Sequence, residues 1–62
     1  MMKKFYGTIE VTPKSTQFKP FRVTSEFEYD EHFDAWHGNN NYYLLEQTRI
    51  IEVIKEINNN ES

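Results

Sequence analysis

The chain has 62 residues, no cysteine and a formal net charge of −3 at pH 7. These values exclude a disulfide framework and a thiolate metal site, and they leave room for one small domain. No apolar run reaches the roughly 18–20 residues of a membrane-spanning helix, and the first residues lack the apolar core of a secretion signal. We therefore expect a cytoplasmic protein without membrane association.

Two segments in the first half of the chain alternate apolar and polar residues, which is the pattern of half-buried β-strands. They cover about residues 3–12 and 20–30, with a turn-forming segment between them. If the numbers of paired residues add up to 32, Phe5 stands opposite Phe27, and two opposite-charge pairs form on the polar face. The sequence therefore predicts an antiparallel hairpin with this register.

The loop predicted for residues 31–41 has no clear periodicity. Asp30 could cap a single helical turn that Gly38 ends, or residues 32–37 could extend into a short third strand. Residues 39–41 are all asparagine, which favours the start of a helix.

From residue 42 to about residue 57 the apolar spacing changes to that of an α-helix. Tyr43, Ile50 and Ile54 recur on one side of such a helix. An isolated hairpin is marginally stable, so we expect the helix to pack on its apolar face. The predicted fold is α+β: an antiparallel hairpin, with a short third strand as an open alternative, against one C-terminal helix and a frayed tail at 58–62.

The predicted helix leaves an apolar flank uncovered. Leu45 projects toward its polar side, and Tyr42 and Val53 lie along one flank. The edges of the hairpin are also uncovered, and such edges recruit further strands. We therefore expect self-association through these three residues, with a homodimer as its simplest form.

Acidic residues are concentrated where the second strand meets the loop, and two aromatic residues accompany them. The set is Glu26, Glu28, Asp30, Glu31, Asp34, Phe33 and Trp36. Carboxylates speed association with a basic partner, and buried aromatic side chains supply much of the binding energy of an interface. The sequence predicts a partner-binding surface made of these residues, with a lid over the core as the alternative role of Trp36.

The polar face of the hairpin offers a second class of function. Tyr6 lies there with Lys4 and Arg22, and aromatic residues among cations on an open sheet face are a common platform for single-stranded nucleic acid. Carboxylates on the same face would repel phosphate. Nucleic-acid binding is therefore the alternative, and protein binding is the main prediction.

Two histidines, His32 and His37, lie among carboxylates, and zinc accepts both kinds of ligand. Their spacing does not place them on one face of a helix, and no further His or Cys completes a site. The chain also lacks a glycine-rich phosphate loop and a nucleophile elbow. We predict no enzymatic activity, no metal and no cofactor.

Small size and codon usage narrow the predicted function. Residues with A/T-rich codons, such as Asn, Ile, Lys and Phe, are abundant, whereas Gly, Ala and Pro are few. Small reading frames of this kind are common in phages and other mobile elements of low-GC bacteria. We predict an inhibitor or antitoxin-like protein, encoded by a phage or mobile element, that binds a host or defence protein stoichiometrically in the host cytoplasm.

Overall fold

The computed structural model describes residues 3–57, which form one antiparallel sheet of five strands. Its elements are β1 (Lys4–Val11), β2 (Phe21–Asp30), β3 (Ala35–Gly38), β4 (Asn41–Leu44), a 3-10 turn (Leu45–Gln47) and β5 (Thr48–Glu56). The strand order is β4-β3-β2-β1-β5. The chain is therefore a meander whose last strand returns to pair with the first.

The hairpin of β1 and β2 is confirmed, including its register. Phe5 pairs with Phe27 as expected, and the hydroxyl oxygens of Thr8 and Thr24 share a hydrogen bond of 2.7 Å on the opposite face. The apolar residues of both strands share one face of the sheet, which we call the inner face. Their polar residues share the other face, which we call the outer face.

The C-terminal α-helix predicted for residues 42–57 is wrong, and so is the α+β class. This segment forms β4, the 3-10 turn and β5, and β5 pairs antiparallel with β1. The described part of the chain is all-β and contains no α-helix. The predicted frayed tail, residues 58–62, lies outside the described residues.

Two β-bulges explain why β5 has the apolar spacing of a helix. The register between β5 and β1 shifts at two points, and each shift adds one residue to β5. The added residues are Ile51 and Ile54, and each directly follows another apolar residue, Ile50 or Val53. Apolar positions therefore recur three and four residues apart, which is also the spacing of one face of a helix.

The segment between β2 and β4 contains both a turn and a third strand. A carboxylate oxygen of Asp30 accepts hydrogen bonds from the backbone N–H groups of His32 (2.8 Å) and Phe33 (3.2 Å). The turn ends at Asp34, which has a φ of 53°. The strand β3 then begins, so the alternative of a short third strand is correct, although the strand starts at Ala35 and not at residue 32. The helical turn ending at Gly38 does not form.

The core lies on the inner face and is rich in aromatic side chains. Phe5, Phe27 and Trp36 are buried together with Ile9 and Val11. The ring of Trp36 stands edge-on to the ring of Phe5, with centroids 5.0 Å apart, although β2 separates their strands. The sheet therefore coils around its inner face. Phe27 is buried, as its place on the apolar face of the hairpin predicts, but strands cover it in place of a helix.

Candidate functional site

The charges of the outer face are arranged in rows across β2, β1 and β5. Glu10 stands between Arg22 and Arg49. Its carboxylate lies 2.9 Å from a terminal guanidinium nitrogen of Arg49 and 3.8 Å from Nε of Arg22. Lys4 forms a further ion pair with Glu26 at 3.4 Å. Lys4, Arg22 and Arg49 are therefore held by carboxylates of the same face, whereas Lys55 makes no ion pair among the described residues.

The predicted nucleic-acid contacts share this face, although Arg22 stands opposite Glu10, four residues along β1 from Tyr6. Tyr6 is exposed and stands opposite Glu26 on one side and Lys55 on the other. Lys4 and Arg22, however, each have a carboxylate partner. A phosphate group would have to displace these carboxylates, so the face offers little of the charge neutralisation on which nucleic-acid affinity depends.

The predicted acidic residues are divided between two places. Glu26 and Glu28 lie on the outer face of β2, Asp30 ends that strand, and Glu31 and Asp34 belong to the turn that follows it. Asp34 accepts a hydrogen bond of 2.7 Å from the hydroxyl of Tyr29, and this bond is the main reason that the pKa of Tyr29 lies above its ordinary value. Among residues 3–57, Glu28 and Glu31 make no ion pair.

Beside this turn, four ring side chains form a continuous exposed cluster. We call it the aromatic patch, and it consists of His32, Phe33, His37 and Tyr42. The ring centroid of Phe33 lies 4.8 Å from that of His32 and 4.9 Å from that of Tyr42. His37 stacks on Tyr42, with centroids 4.4 Å apart and an angle of 15° between the planes. Phe33 is 51% exposed and Tyr42 is 50% exposed.

The hairpin of β3 and β4 positions one half of the aromatic patch. Its two-residue turn is Asn39-Asn40, with φ values of 53° and 62° that asparagine tolerates better than most residues. The turn sets the register that places His37 opposite Tyr42. Because His37 also stands opposite Glu28 of β2, a carboxylate borders the patch.

Trp36 lies in the core and not on the aromatic patch. It is 4% exposed, and its ring contacts Phe5 and Tyr29 on the inner face. Side chains alternate along a strand, so Trp36 and the neighbouring His37 point to opposite faces. Of the two predicted anchors, Phe33 is therefore at the surface, and Trp36 occupies the position expected of a lid over the core.

The three residues predicted to mediate self-association do not come together. Tyr42 lies on β4 and Val53 on β5, at opposite edges of the sheet. Leu45 is partly buried and packs against the core. Their common flank was defined on a helix that does not form, so the homodimer stays a prediction without this surface.

The contacts that join Phe33, Tyr42 and His37 are not predicted from the sequence. One signal for them was present, because the pair Asn39-Asn40 separates two short segments and suits a tight hairpin turn. Three consecutive asparagines also favour the start of a helix, so the sequence alone does not identify the hairpin that brings the rings together.

Within residues 3–57, no three His, Asp or Glu side chains are grouped closely enough to hold a metal ion. None of the helical segments in that range is long and apolar enough to cross a membrane. Comparison with family models, curated proteins and solved structures finds no match. The function therefore has to be inferred from the surface itself.

Proposed function

We propose that this protein is a protein-binding module that docks a basic partner on the aromatic patch, in the cytoplasm and without catalysing a reaction. The observation that carries the proposal is the contact between two half-exposed rings, Phe33 and Tyr42, whose centroids are 4.9 Å apart. Exposed apolar side chains are ordinarily scattered singly, whereas contiguous ones mark interaction sites. Aromatic residues are also enriched in the centres of interfaces.

The charges around the aromatic patch favour a basic partner. Glu28 stands opposite His37 at one border, and Glu31 lies in the turn that carries Phe33. Elsewhere on the outer face the carboxylates of Glu10 and Glu26 are matched by nearby cations. The unmatched carboxylates near the patch attract a positively charged surface and raise the rate of encounter.

Stoichiometric binding is sufficient for the inhibitor or antitoxin role expected from the size and composition of the chain. Such a role requires a stable surface and no reactive group. The aromatic patch meets that requirement, because its rings are held by a turn that Asp30 caps and by a short hairpin.

Paired variants test the proposal. We expect Phe33→Ser with Tyr42→Ser to abolish capture of the partner, because the exposed rings supply most of the binding energy. The matched control is Phe18→Ser, which removes an even more exposed ring, 64% exposed, from the connection between β1 and β2. Tagged proteins are incubated with nuclease-treated lysate of a low-GC bacterium, and captured proteins are quantified by mass spectrometry.

The proposal requires proteins that the wild type and Phe18→Ser retain and that the double variant loses. Equal capture by all three proteins would contradict it, provided that circular dichroism shows the same fold. Once a partner is purified, Glu28→Lys with Glu31→Lys should slow association and weaken its dependence on salt.

The nucleic-acid alternative gives the opposite pattern. A labelled single-stranded oligonucleotide should show no binding at physiological salt if the proposal is correct. Binding that Tyr6→Ala abolishes and that the aromatic-patch variants retain would favour the alternative.

A further inference from the structure

At the other end of the sheet, β5 is an exposed edge strand of nine residues. Among the described residues it pairs on one side only, with β1. Ile50, Val53 and Ile54 are all exposed along it. A long edge strand with exposed apolar side chains readily pairs with a further strand, and a protein that keeps such an edge needs a means to control what pairs with it.

Three of the four charged residues of β5 share one face. Arg49, Glu52 and Lys55 stand opposite Glu10, Thr8 and Tyr6 of β1, which all belong to the outer face. The bulges at positions 51 and 54 explain this alignment. The extra residue in each bulge means that side chains return to the outer face after three residues, where a regular strand needs two. The outer face of β5 therefore carries charges in the order positive, negative, positive.

This order opposes pairing with a second copy of the chain along the whole of β5. In a two-fold symmetric antiparallel pair, the central residue stands opposite itself. Pairings shifted toward either end bring Glu52 opposite Arg49 or Lys55 of the second copy but leave part of β5 unpaired, so only the pairing centred on Glu52 covers the whole strand. It places Glu52 against Glu52 of the second copy and Arg49 against Lys55 of the second copy, in both directions. Like charges that are directly opposite destabilise a strand pair.

We propose that the outer edge of β5 is a docking site for a strand of another protein, and that its charge order selects a strand with the order acidic, basic, acidic. Such a strand meets Glu52 and Lys55 with opposite charges, and its third charge lies beside Arg49, which also pairs with Glu10. Its apolar face adds to Ile50 and Val53. The pairing of β1 with β5 shows that a regularly alternating strand can pair with a bulged one. The outer-face residues of β1 are two positions apart, whereas the β5 residues opposite them are three positions apart. This surface lies at the opposite edge of the sheet from the aromatic patch and does not depend on it.

A synthetic peptide tests the selection directly. The probe is a blocked heptapeptide, Val-Glu-Val-Lys-Val-Glu-Val, and its matched control exchanges every Glu and Lys. Binding is followed by amide chemical-shift changes in the labelled protein. We expect changes concentrated in β5 and at least about tenfold weaker binding of the control, because three attractive cross-strand pairs become repulsive. Equal affinity of the two peptides, or changes confined to other strands, would overturn the proposal.

Exchange of charges on β5 tests the exclusion of a second copy. Glu52→Gln with Lys55→Glu places the new carboxylate opposite Arg49 in both directions and removes the central repulsion. Glu52→Gln with Lys55→Arg is the control, because it keeps like charges opposite each other. Neither Glu52 nor Lys55 forms an ion pair among the described residues, so both variants should fold.

Sedimentation velocity at several protein concentrations provides the readout. The first variant should shift toward the mass of a dimer, whereas the wild type and the control should remain smaller at the same concentration. High salt should reduce the shift, because the pairs that cause it are exposed. If the first variant sediments like its control, the proposed role of the charge order is wrong.

Discussion

The two edges of this sheet expose different kinds of surface. The strand β4 has four residues and offers little backbone to a further strand, but it presents Tyr42 within the aromatic patch. The strand β5 has nine residues and offers a long backbone edge, with charged residues on one face. Under both proposals, side chains carry recognition at the β4 edge, whereas at the β5 edge the backbone binds a strand and the charges select which strand.

The register at each edge also has a different origin. At β4 it depends on the turn Asn39-Asn40. At β5 it depends on two bulges and on Gly7, because a Cβ atom at position 7 would collide with the backbone carbonyl oxygen of Glu52. A substitution can therefore disturb one edge and leave the other in place, unless it affects the core that supports both.

The largest effect should come from Trp36→Ala, because Trp36 belongs to that shared core. Truncation of a buried Trp costs about 3–5 kcal/mol of unfolding free energy, which is enough to unfold many domains of this size. The matched control is Phe33→Ala, which should cost less than about 0.5 kcal/mol because the ring is exposed. Urea denaturation measures both, and similar losses would show that the core is assigned incorrectly.

A smaller effect, restricted to the β5 edge, is expected for Gly7→Val. The added side chain forces β5 away from β1 and should cost about 1–3 kcal/mol, as overpacking generally does. Ser25→Ala, at the position opposite Gly7 on β2, is the control and should be tolerated. Hydrogen exchange should show lost protection in β5 before any loss in the hairpin of β3 and β4. Uniform protection in the Gly7→Val protein would mean that the two strands do not approach closely at this point.

The β4 edge should respond to Asn40→Ala, because alanine is strained at a φ of 62°. The expected cost is about 1 kcal/mol, whereas Asn40→Gly should be neutral or slightly stabilising. Thermal unfolding compares the two variants. If alanine and glycine are tolerated equally well, the turn does not have the conformation described.

The smallest effect concerns pH and the turn that carries Phe33. The pKa of Tyr29 is raised, first by its hydrogen bond to Asp34 and then by desolvation. The folded state therefore favours the neutral phenol, which contributes to the free energy of unfolding. This stabilisation is complete below the ordinary tyrosine pKa of about 10 and is lost as the pH rises through the raised pKa. Tyrosinate absorbance should show a late-titrating component that Tyr29→Phe removes and that Asp34→Asn shifts to lower pH. An unchanged titration curve in Tyr29→Phe would contradict the hydrogen bond.

The hairpin of β1 and β2 could be predicted because its residues follow a strict period of two and because charges and threonines pair consistently in one register. Phe5 and Phe27 then follow as core residues from their place on the apolar face. Local pattern and cross-strand chemistry agree in this half of the chain, so the sequence contains enough information to specify it.

The strand β5 could not be predicted in the same way, because its bulges replace the period of two with steps of three and four. Ile51 and Ile54 make the segment look helical, and only the pairing with β1 shows that they are inserted residues. The sequence left Trp36 with two roles, a lid over the core and an interface anchor, and the choice depends on the coiling that brings β3 over β1. The acidic segment and Phe33 could be recognised from the sequence, whereas the contact of Phe33 with Tyr42 required the fold.

Nuclear Overhauser contacts between β1 and the C-terminal segment test the central claim most directly, because both proposed surfaces depend on an all-β C-terminal half. We expect cross-strand contacts from Gly7 to Val53 and from Ile9 to Ile50, with the step in register between them that the bulge at Ile51 produces. Contacts between residues three apart within 48–56, together with no contacts to β1, would instead show an α-helix and contradict the fold and both surfaces.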